Sequence, residues 1–402
     1  MKKIISYIIN RIITALLYIS GSITSIIVIL IVIFLFSEGA GMFGQEPTEK
    51  GFILAVNKTN KVSHLSAEQT KLIFDGEITN WQKVGGKNDS IILFRMDNIT
   101  DYFTEEQIGE NFEHLPACIS KVVDSIPGII AFVGKTYTDK NFAGKELKVD
   151  KLTVRDFLFG QLWFPTAHPV AVFGALPLLL GTFWVSIFAI LFALPLGLAT
   201  AIYIAEVANP VVRNILKPVI ELLAGIPSVV YGFFGLVVVV PFIQSVFNLP
   251  VGETAFAGSI ILGIMALPTI ITISEDAIRT TPRSMKEASL ALGANHWQTI
   301  FRVILPYSSS GITAGAILGI GRAIGETMAV LMVTGNAAVM PHTLLEPVRT
   351  IPATIAAELG EAPQGGLHYE SLFILGCVLF LITMLVNLAV EFISRRNKRV
   401  AS

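Results

Sequence analysis

Charge is scarce in this chain. Of its 402 residues, only 15% are Asp, Glu, Lys or Arg, against about 25% in ordinary soluble domains. The shortage excludes a disordered protein and an ordinary soluble enzyme. A net charge of −1 leaves no basic footprint and argues against a nucleic-acid binder. Cysteine is nearly absent. Cys118 and Cys377 are too few for a disulfide scaffold. Cys377 sits in an apolar run and Cys118 in a polar one, so both are expected to be free, buried thiols. The six histidines (His64, His114, His168, His296, His342 and His368) lack metal-ligand spacing and are assigned no function. A phosphate-binding loop is missing too. Gly134-Lys135-Thr136 imitates its end, but five residues separate Gly128 from Gly134 where that loop needs four.

Apolar residues fill the space that charge leaves. They make up 53% of the chain, and the mean hydropathy is +0.67. The distribution is uneven: 32 of the 59 charged residues lie between 37 and 175. The rest holds seven charge-free runs: Ile12–Ser37, Phe157–Ala205, Leu222–Gly252, Thr254–Ser274, Val303–Gly321, Thr327–Leu345 and Ser371–Val390. A membrane-spanning helix needs roughly 20 mostly apolar residues. The fifth and sixth runs are parted only by Arg322 and Glu326 and are read as one span. The start of the long second run, with Trp163, Pro165 and Pro169, reads as interfacial. Six spans result, near 12–36, 178–205, 218–246, 255–275, 308–334 and 368–392. The first apolar run is too long for a cleaved signal peptide, and no small-residue cleavage site follows it.

Orientation follows from Lys and Arg in the short loops. Lys2, Lys3 and Arg11 precede the first span, and Arg213 and Lys217 separate the second from the third. Arg279, Arg283, Lys286 and Arg302 lie between the fourth and fifth. Arg395, Arg396, Lys398 and Arg399 follow the sixth. On the opposite side, 247–254 holds no basic residue and 335–367 only Arg349. Both termini are therefore expected in the cytoplasm and the 37–175 insert outside it.

Two sites stand out. The loop after the fourth span reads as a short helix, a glycine break at Gly293, and a second short helix running to Pro306. Gly293 permits a sharp turn that a β-carbon would resist, and Pro306 is expected to stop or bend the chain where the fifth span begins. Such a hairpin is a stiff knob able to push on a partner; the plainer alternative is an amphipathic interfacial loop. The second site is Arg322 and Glu326 inside the fifth span. A charge there costs at least roughly 2.5–3.5 kcal/mol on insertion scales. At i, i+4 spacing the two share a helix face and can pair. Gly311, Gly315 and Gly319 run along that face at four-residue spacing, which lets another helix backbone approach. The pair is thus expected to face the bundle interior, either as a packing salt bridge or as a contact for a substrate. A guanidinium presents a planar fork suited to a tetrahedral oxyanion. A carboxylate beside it can accept the proton of monohydrogen phosphate and repel sulfate, which has none.

The hairpin's pattern resembles the signature loop of ABC-transporter permease subunits: Glu287-Ala288-Ser289, three residues, Gly293, nine residues, then Val303-x-Leu305-Pro306. The resemblance implies that Glu287, Ala288, Gly293, Leu305 and Pro306 form the coupling loop that docks on a separate ATPase subunit. Residues 255–336 resemble the permeases of phosphate ABC transporters. The carrying segments are Ser259–Asp276, Pro282–Gly293, Gly319–Val330 and Gly335-Asn336, with further matches in 163–205. Gly325-Glu326-Thr327 continues with Met328-Ala329, which places the chain with PstC-type rather than PstA-type subunits. The resemblance implies that Arg322, Glu326 and Thr327 line the substrate pathway.

The insert reads as α/β, with strands at Gly51–Asn57 and Ile91–Phe94, a helix at Ala67–Phe74, and turns at Gly85-Gly86 and Pro127-Gly128. The stretches Leu65–Trp81, Ile91–Arg95 and Pro127–Phe132 resemble part of a periplasmic phosphate-binding protein. That family follows the arginine with Ser-Gly-Thr; here Arg95 is followed by Met96-Asp97-Asn98-Ile99-Thr100-Asp101. Two carboxylates at that place repel an oxyanion, so the insert is expected not to bind phosphate. Docking of a soluble receptor, or a partial lid, is the expected role; a decorative insertion is the alternative. Asn57-Lys58-Thr59 and Asn98-Ile99-Thr100 fit the glycosylation pattern, a match that chance often supplies.

The fold expected is an all-α polytopic membrane protein with six transmembrane helices, the ABC type I importer permease fold, carrying an inserted α/β extracytoplasmic domain. The domains run 1–36, 37–165 and 166–402. The implied setting is a bacterial inner membrane. The implied assembly adds a PstA-like second permease, an ATPase dimer holding ATP-Mg, and an extracytoplasmic phosphate-binding protein. This chain itself is expected to carry no cofactor and no metal. Rival readings are a phosphate sensor, a permease for another oxyanion such as phosphonate or molybdate, and an intramembrane enzyme. The last lacks a nucleophile–base pair within the spans.

Overall fold

The computed structural model describes residues 2–109, 111–138 and 142–400, with side chains from Tyr7 to Phe392 apart from those gaps and residues 8 and 9. The terminal basic residues Lys2, Lys3, Arg395, Arg396, Lys398 and Arg399 used for orientation have side chains outside that set. The chain divides into two compact units. One comprises 1–41, 182–336 and 344–402; the other comprises 42–181 and 337–343.

The first unit is helical, and six of its helices are long and apolar enough to cross a membrane: Asn10–Ala40, Leu176–Val207, Ser228–Phe247, Ala255–Arg279, His296–Gly325 and Leu367–Phe392. They are spans 1 to 6 below. The number agrees with the sequence reading, but three boundaries move. Span 3 begins at Ser228 rather than 218. Ile226 is extended ahead of Pro227, because a residue before proline is pushed out of the α region. The preceding Pro210–Gly225 becomes a separate helix. Span 5 ends at Gly325 rather than 334, where Glu326 turns extended (φ −70°, ψ 131°), and Met328–Val333 is a short helix of its own.

Span 5 also starts earlier than expected. Pro306 does not stop the chain. His296–Thr299, the π-turn Ile300–Ile304 and Leu305–Gly325 run on as one span. Proline lacks an N–H and clashes with the carbonyl four residues before it. The extra residue of a π-turn makes room for that carbonyl. Span 3 repeats the device, with π-turn Gly235–Val239 just ahead of Pro241.

Span 4 is the most enclosed of the six. Its partner is span 5, and the glycine stripe explains the fit. A β-carbon at Gly311 would stand 2.3 Å from that of Ala277; at Gly315 it would meet Ser274 and Ile273, and at Gly319 Ile270. Small residues here let two backbones approach, as in lipid-embedded helix pairs generally. Around this pair Val185, Ala189, Tyr231, Ile261, Leu262, Met265, Ala329, Val330 and Val333 form the central core. Cys377 is a buried free thiol in span 6, and Cys118 one in the other unit.

The second unit is α/β. Strands β1 (Phe52–Val56), β2 (His64–Leu65), β3 (Ile92–Arg95), β4 (Ile129–Gly134) and β5 (Lys145–Val149) form one sheet in the order β2-β5-β1-β4-β3. β1 is antiparallel to β4 and β5; β3 is parallel to β4 and β2 to β5. Strand alternation sends Ala55, Phe94, Ile129, Ala131 and Val133 to one face, under helix Leu115–Ser125. Leu54, Val56, Ile130, Leu147 and Val149 go to the other, with Ile73 and Phe74 of helix Ala67–Phe74. Ser66 caps that helix in a reciprocal box with Gln69. The expected strands and helix are present.

One expectation is corrected here. Trp163 is buried between Phe157 and Phe173, at ring distances of 6.1 and 6.0 Å; it is core of the α/β unit and not an interfacial anchor. Asn57 is buried as well. Its amide donates to the Val123 and Asp124 carbonyls (2.9 and 2.7 Å) at the end of a helix, which leaves no nitrogen for a sugar.

The glycine stripe generates a test. Gly311→Ala should lower the stability of the purified protein in detergent by about 1–3 kcal/mol through overpacking. Gly321→Ala, where nothing lies within 4 Å, should leave it unchanged or raise it by up to about 1 kcal/mol. Thermal unfolding followed by circular dichroism reads both.

Candidate functional site

The loop after span 4 folds as the sequence indicates. Helix α1 (Arg283–Ala291) ends at a turn where Gly293 adopts φ +86°. That left-handed conformation is one that only glycine takes without cost. Asn295 then caps the next helix through Gln298. Glu287, Ala288 and Gly293 are exposed, while Leu305 packs into the core of Ile204, Ile271, Ile278, Ile300 and Ile304. Pro306 sits in the first turn of the helix beginning at Leu305 and is exposed. Leu292 is 90% exposed, and Met285, Leu290, Trp297 and Phe301 are also exposed. A cluster of exposed apolar side chains on one hairpin marks a contact surface.

Acid groups at the ends of the apolar runs anchor this hairpin, and sequence reasoning missed them. Glu275, with a side chain only 3% exposed, accepts from Lys217 Nζ (2.9 Å) and Arg279 (3.1 Å). The bond to Glu275 holds the Lys217 ammonium above the usual lysine range. Glu206, likewise buried, pairs with Lys286 of α1 at 2.6 Å. The available signal was position: Glu206 closes the second charge-free run and Glu275 the fourth, each facing a basic loop.

The fifth-span site departs from expectation. Arg322 lies in the last turn of the helix and Glu326 beyond its end, so the i, i+4 geometry does not form. Among the described residues no carboxylate stands within 4 Å of Arg322. Glu326 instead turns toward the next helix, Met328–Val333, where the Ala329 N–H points at its Oε1 at 3.5 Å. Thr327 begins that helix, its hydroxyl 3.4 Å from the Gly325 carbonyl. Arg322, Glu326 and Thr327 are each half-buried. Tyr231 of span 3 lies within electrostatic range of Arg322 and donates to the Leu223 carbonyl at 2.8 Å, across the break at Pro227. Gly321 and Gly325 have open space where a side chain would be. The structure thus gathers Arg322, Glu326 and Thr327 at an unwound, partly open segment. Among the described residues no group of three or more His, Cys, Asp or Glu could hold a metal.

Lys217→Met should destabilise the folded protein by about 1–3 kcal/mol, since it leaves the buried Glu275 carboxylate with one cation instead of two. A thermal melt of the purified protein measures this.

Both parts of the chain are similar to known proteins. The family described as "Binding-protein-dependent transport system inner membrane component" matches residues 193–399. A PBP superfamily domain matches residues 39–170. The chain is 41% identical over 243 residues to the probable ABC transporter permease protein YqgH of Bacillus subtilis, covering 60% of this chain and 78% of that protein. It is 41% identical over 249 residues to the phosphate transport system permease protein PstC of Mesorhizobium japonicum, covering 57% and 75%. With PstC of Haemophilus influenzae it shares 32% over 307 residues, covering 71% and 92%. These relatives are permease subunits rather than enzymes, and the six apolar helices fit that class: the chain belongs to the binding-protein-dependent transport system inner membrane components.

Proposed function

We infer that this chain is the transmembrane permease subunit of an ATP-driven phosphate importer, working by alternating access. The observation that carries the reading is Arg322: a guanidinium at the unwound end of an apolar span, with no carboxylate partner within 4 Å among the described residues. Its cost in lipid is offset when an oxyanion supplies the counter-charge. The PstC relatives favour phosphate over phosphonate or molybdate as that oxyanion. Glu326, freed from the helix, is placed to accept a proton from monohydrogen phosphate and to disfavour sulfate. Thr327 adds a hydroxyl beside it.

The rest of the assembly follows from the same reading. The exposed face of α1, with Glu287 and Ala288, meets an ATPase dimer carrying ATP-Mg, and ATP binding there moves the hairpin. A PstA-like second permease completes the conduit beside Gly321 and Gly325. A soluble extracytoplasmic receptor delivers phosphate, and the α/β insert, outside the cytoplasm, docks it. Both termini lie in the cytoplasm of a bacterium whose inner membrane holds the complex. The insert itself does not take the anion. Arg95 lies over the Phe74 ring at 5.5 Å, and Asp97 and Asp101 occupy the turn that follows it.

The experiment is uptake of labelled phosphate by the full complex in proteoliposomes, with and without ATP. Arg322→Gln should lower ATP-dependent uptake by about 10- to 100-fold, the worth of a charged hydrogen bond, while the subunits still co-purify. Wild-type uptake that ignores phosphate but carries another oxyanion would reassign the cargo. Normal uptake by the Arg322 variant would remove the site.

A further inference from the structure

Helix α1 is held across its middle turn by side chains on the membrane helices. Lys286 Nζ donates to Glu206 Oε1 at 2.6 Å, with side chains 24% and 8% exposed. Ser289 Oγ lies 2.9 Å from the Thr299 hydroxyl, which also bonds the Asn295 carbonyl. Positions 286 and 289 are three apart and share a face. Both are half-buried, while Glu287, Ala288 and Leu290 are exposed. One face of α1 therefore grips the bundle and the other is free for a partner.

One grip ends within a π-turn and the other beside one. Glu206 lies inside Tyr203–Val207, the last turn of span 2, and Thr299 immediately precedes Ile300–Ile304 in span 5. A π-turn carries one residue more than an α-turn and recurs at functional sites. The two grips differ in one respect. The hairpin joins spans 4 and 5 through the backbone, so motion of α1 reaches them covalently. Span 2 has no such route. The apolar cluster of Ala201, Ile204, Ile271, Ile278, Ile300 and Ile304 holds it beside spans 4 and 5, and Gly197 and Gly258 bring it close to span 4, against Ile270 and Val185, but none of these contacts reaches α1. The Lys286–Glu206 pair is directional and ties span 2 to α1 itself.

We propose that the Lys286–Glu206 ion pair is the strap through which displacement of the coupling helix is delivered to span 2, Lys286 and Glu206 acting as positioning residues. This rests on the reading that α1 meets an ATPase. Without the pair, spans 4 and 5 follow the hairpin and span 2 lags behind.

The test uses the full complex with Cys118 and Cys377 replaced by serine and a nitroxide attached at Leu191→Cys on the exposed side of span 2. ATP should change the label's spectrum in the otherwise wild-type complex. Glu206→Lys and Lys286→Glu should each abolish that change and cut uptake about tenfold or more, and the double swap should restore both, as coupled charges do. Glu206→Gln, gentler on folding, should reduce the ATP-dependent change with the subunits still co-purifying. A label that ATP never moves, single variants that keep the response, or a double swap that recovers nothing would overturn the strap. The spectrum does not depend on the cargo. A label that responds as expected in a complex that takes up no phosphate would therefore refute the phosphate assignment and leave the strap standing.

Discussion

A charge placed in an apolar helix must find water, a counter-charge or a cargo, because hydrocarbon supplies none. That constraint organises the membrane unit. At the ends of the spans it is met by pairing: Glu275 has Lys217 and Arg279, and Glu206 has Lys286. At Arg322 it is met differently. The helix gives way three residues later, Glu326 swings out of register, and the guanidinium is left half-buried at an unwound segment. Irregular backbone at membrane depth is tolerated where it lines a cavity or is buried in protein. At Gly321 and Gly325 nothing in this chain lies within 4 Å of where a side chain would be. A closed i, i+4 salt bridge would have satisfied the charge internally and left nothing for a substrate to do.

Rigid and yielding contacts are distributed to suit a machine that switches between two states. Spans 4 and 5 meet closely along Gly311, Gly315 and Gly319, where an added β-carbon would stand 2.3, 3.2 and 2.9 Å from its nearest neighbour. Close-packed interiors have low compressibility, so this seam resists deformation. The π-turns in spans 2, 3 and 5 lie elsewhere, at helix ends or just before Pro241 and Pro306. Proline cannot complete the hydrogen-bond ladder, and the extra residue relieves the clash it creates. Two of the three π-turns thus stand where a proline would otherwise clash with the ladder, and the glycine seam lies apart from them.

What could be read from the sequence follows the range of the forces involved. Span number came from composition alone. Gly293 and the helix Ala67–Phe74 were legible because turns and helix starts are local chemistry, and the glycine stripe because periodicity fixes a face. The misplaced boundaries have a common cause. Apolar runs report solubility in lipid and say nothing of where the backbone breaks. The break at Ile226-Pro227 was masked by a run apolar on both sides of it, and the break at Glu326 contains no proline at all. The pairing of Arg322 with Glu326 was inferred from helical spacing, and it failed because the helix ends between them. Lys286–Glu206 and Lys217–Glu275 were illegible for another reason: they join residues 80 and 58 apart, and no local pattern sets such a distance.

The α/β unit turns on the same electrostatics from the opposite direction. Its sheet is complete, with both faces covered by helices and large side chains fully enclosed, so the fold does not depend on a ligand. Yet after β3, where the phosphate-binding resemblance would put hydroxyls, the chain carries Asp97 and Asp101, and the Arg95 guanidinium lies over the Phe74 ring at 5.5 Å. A dianion approaching that turn meets the like charge of those two carboxylates. On our reading the unit keeps the shape of a receptor lobe without its affinity. A platform that held phosphate would compete with Arg322 for the cargo it is there to pass on. A lobe that repels the free anion but can still meet a receptor protein avoids that competition, and the altered turn after Arg95 is the residue-level change that produces it.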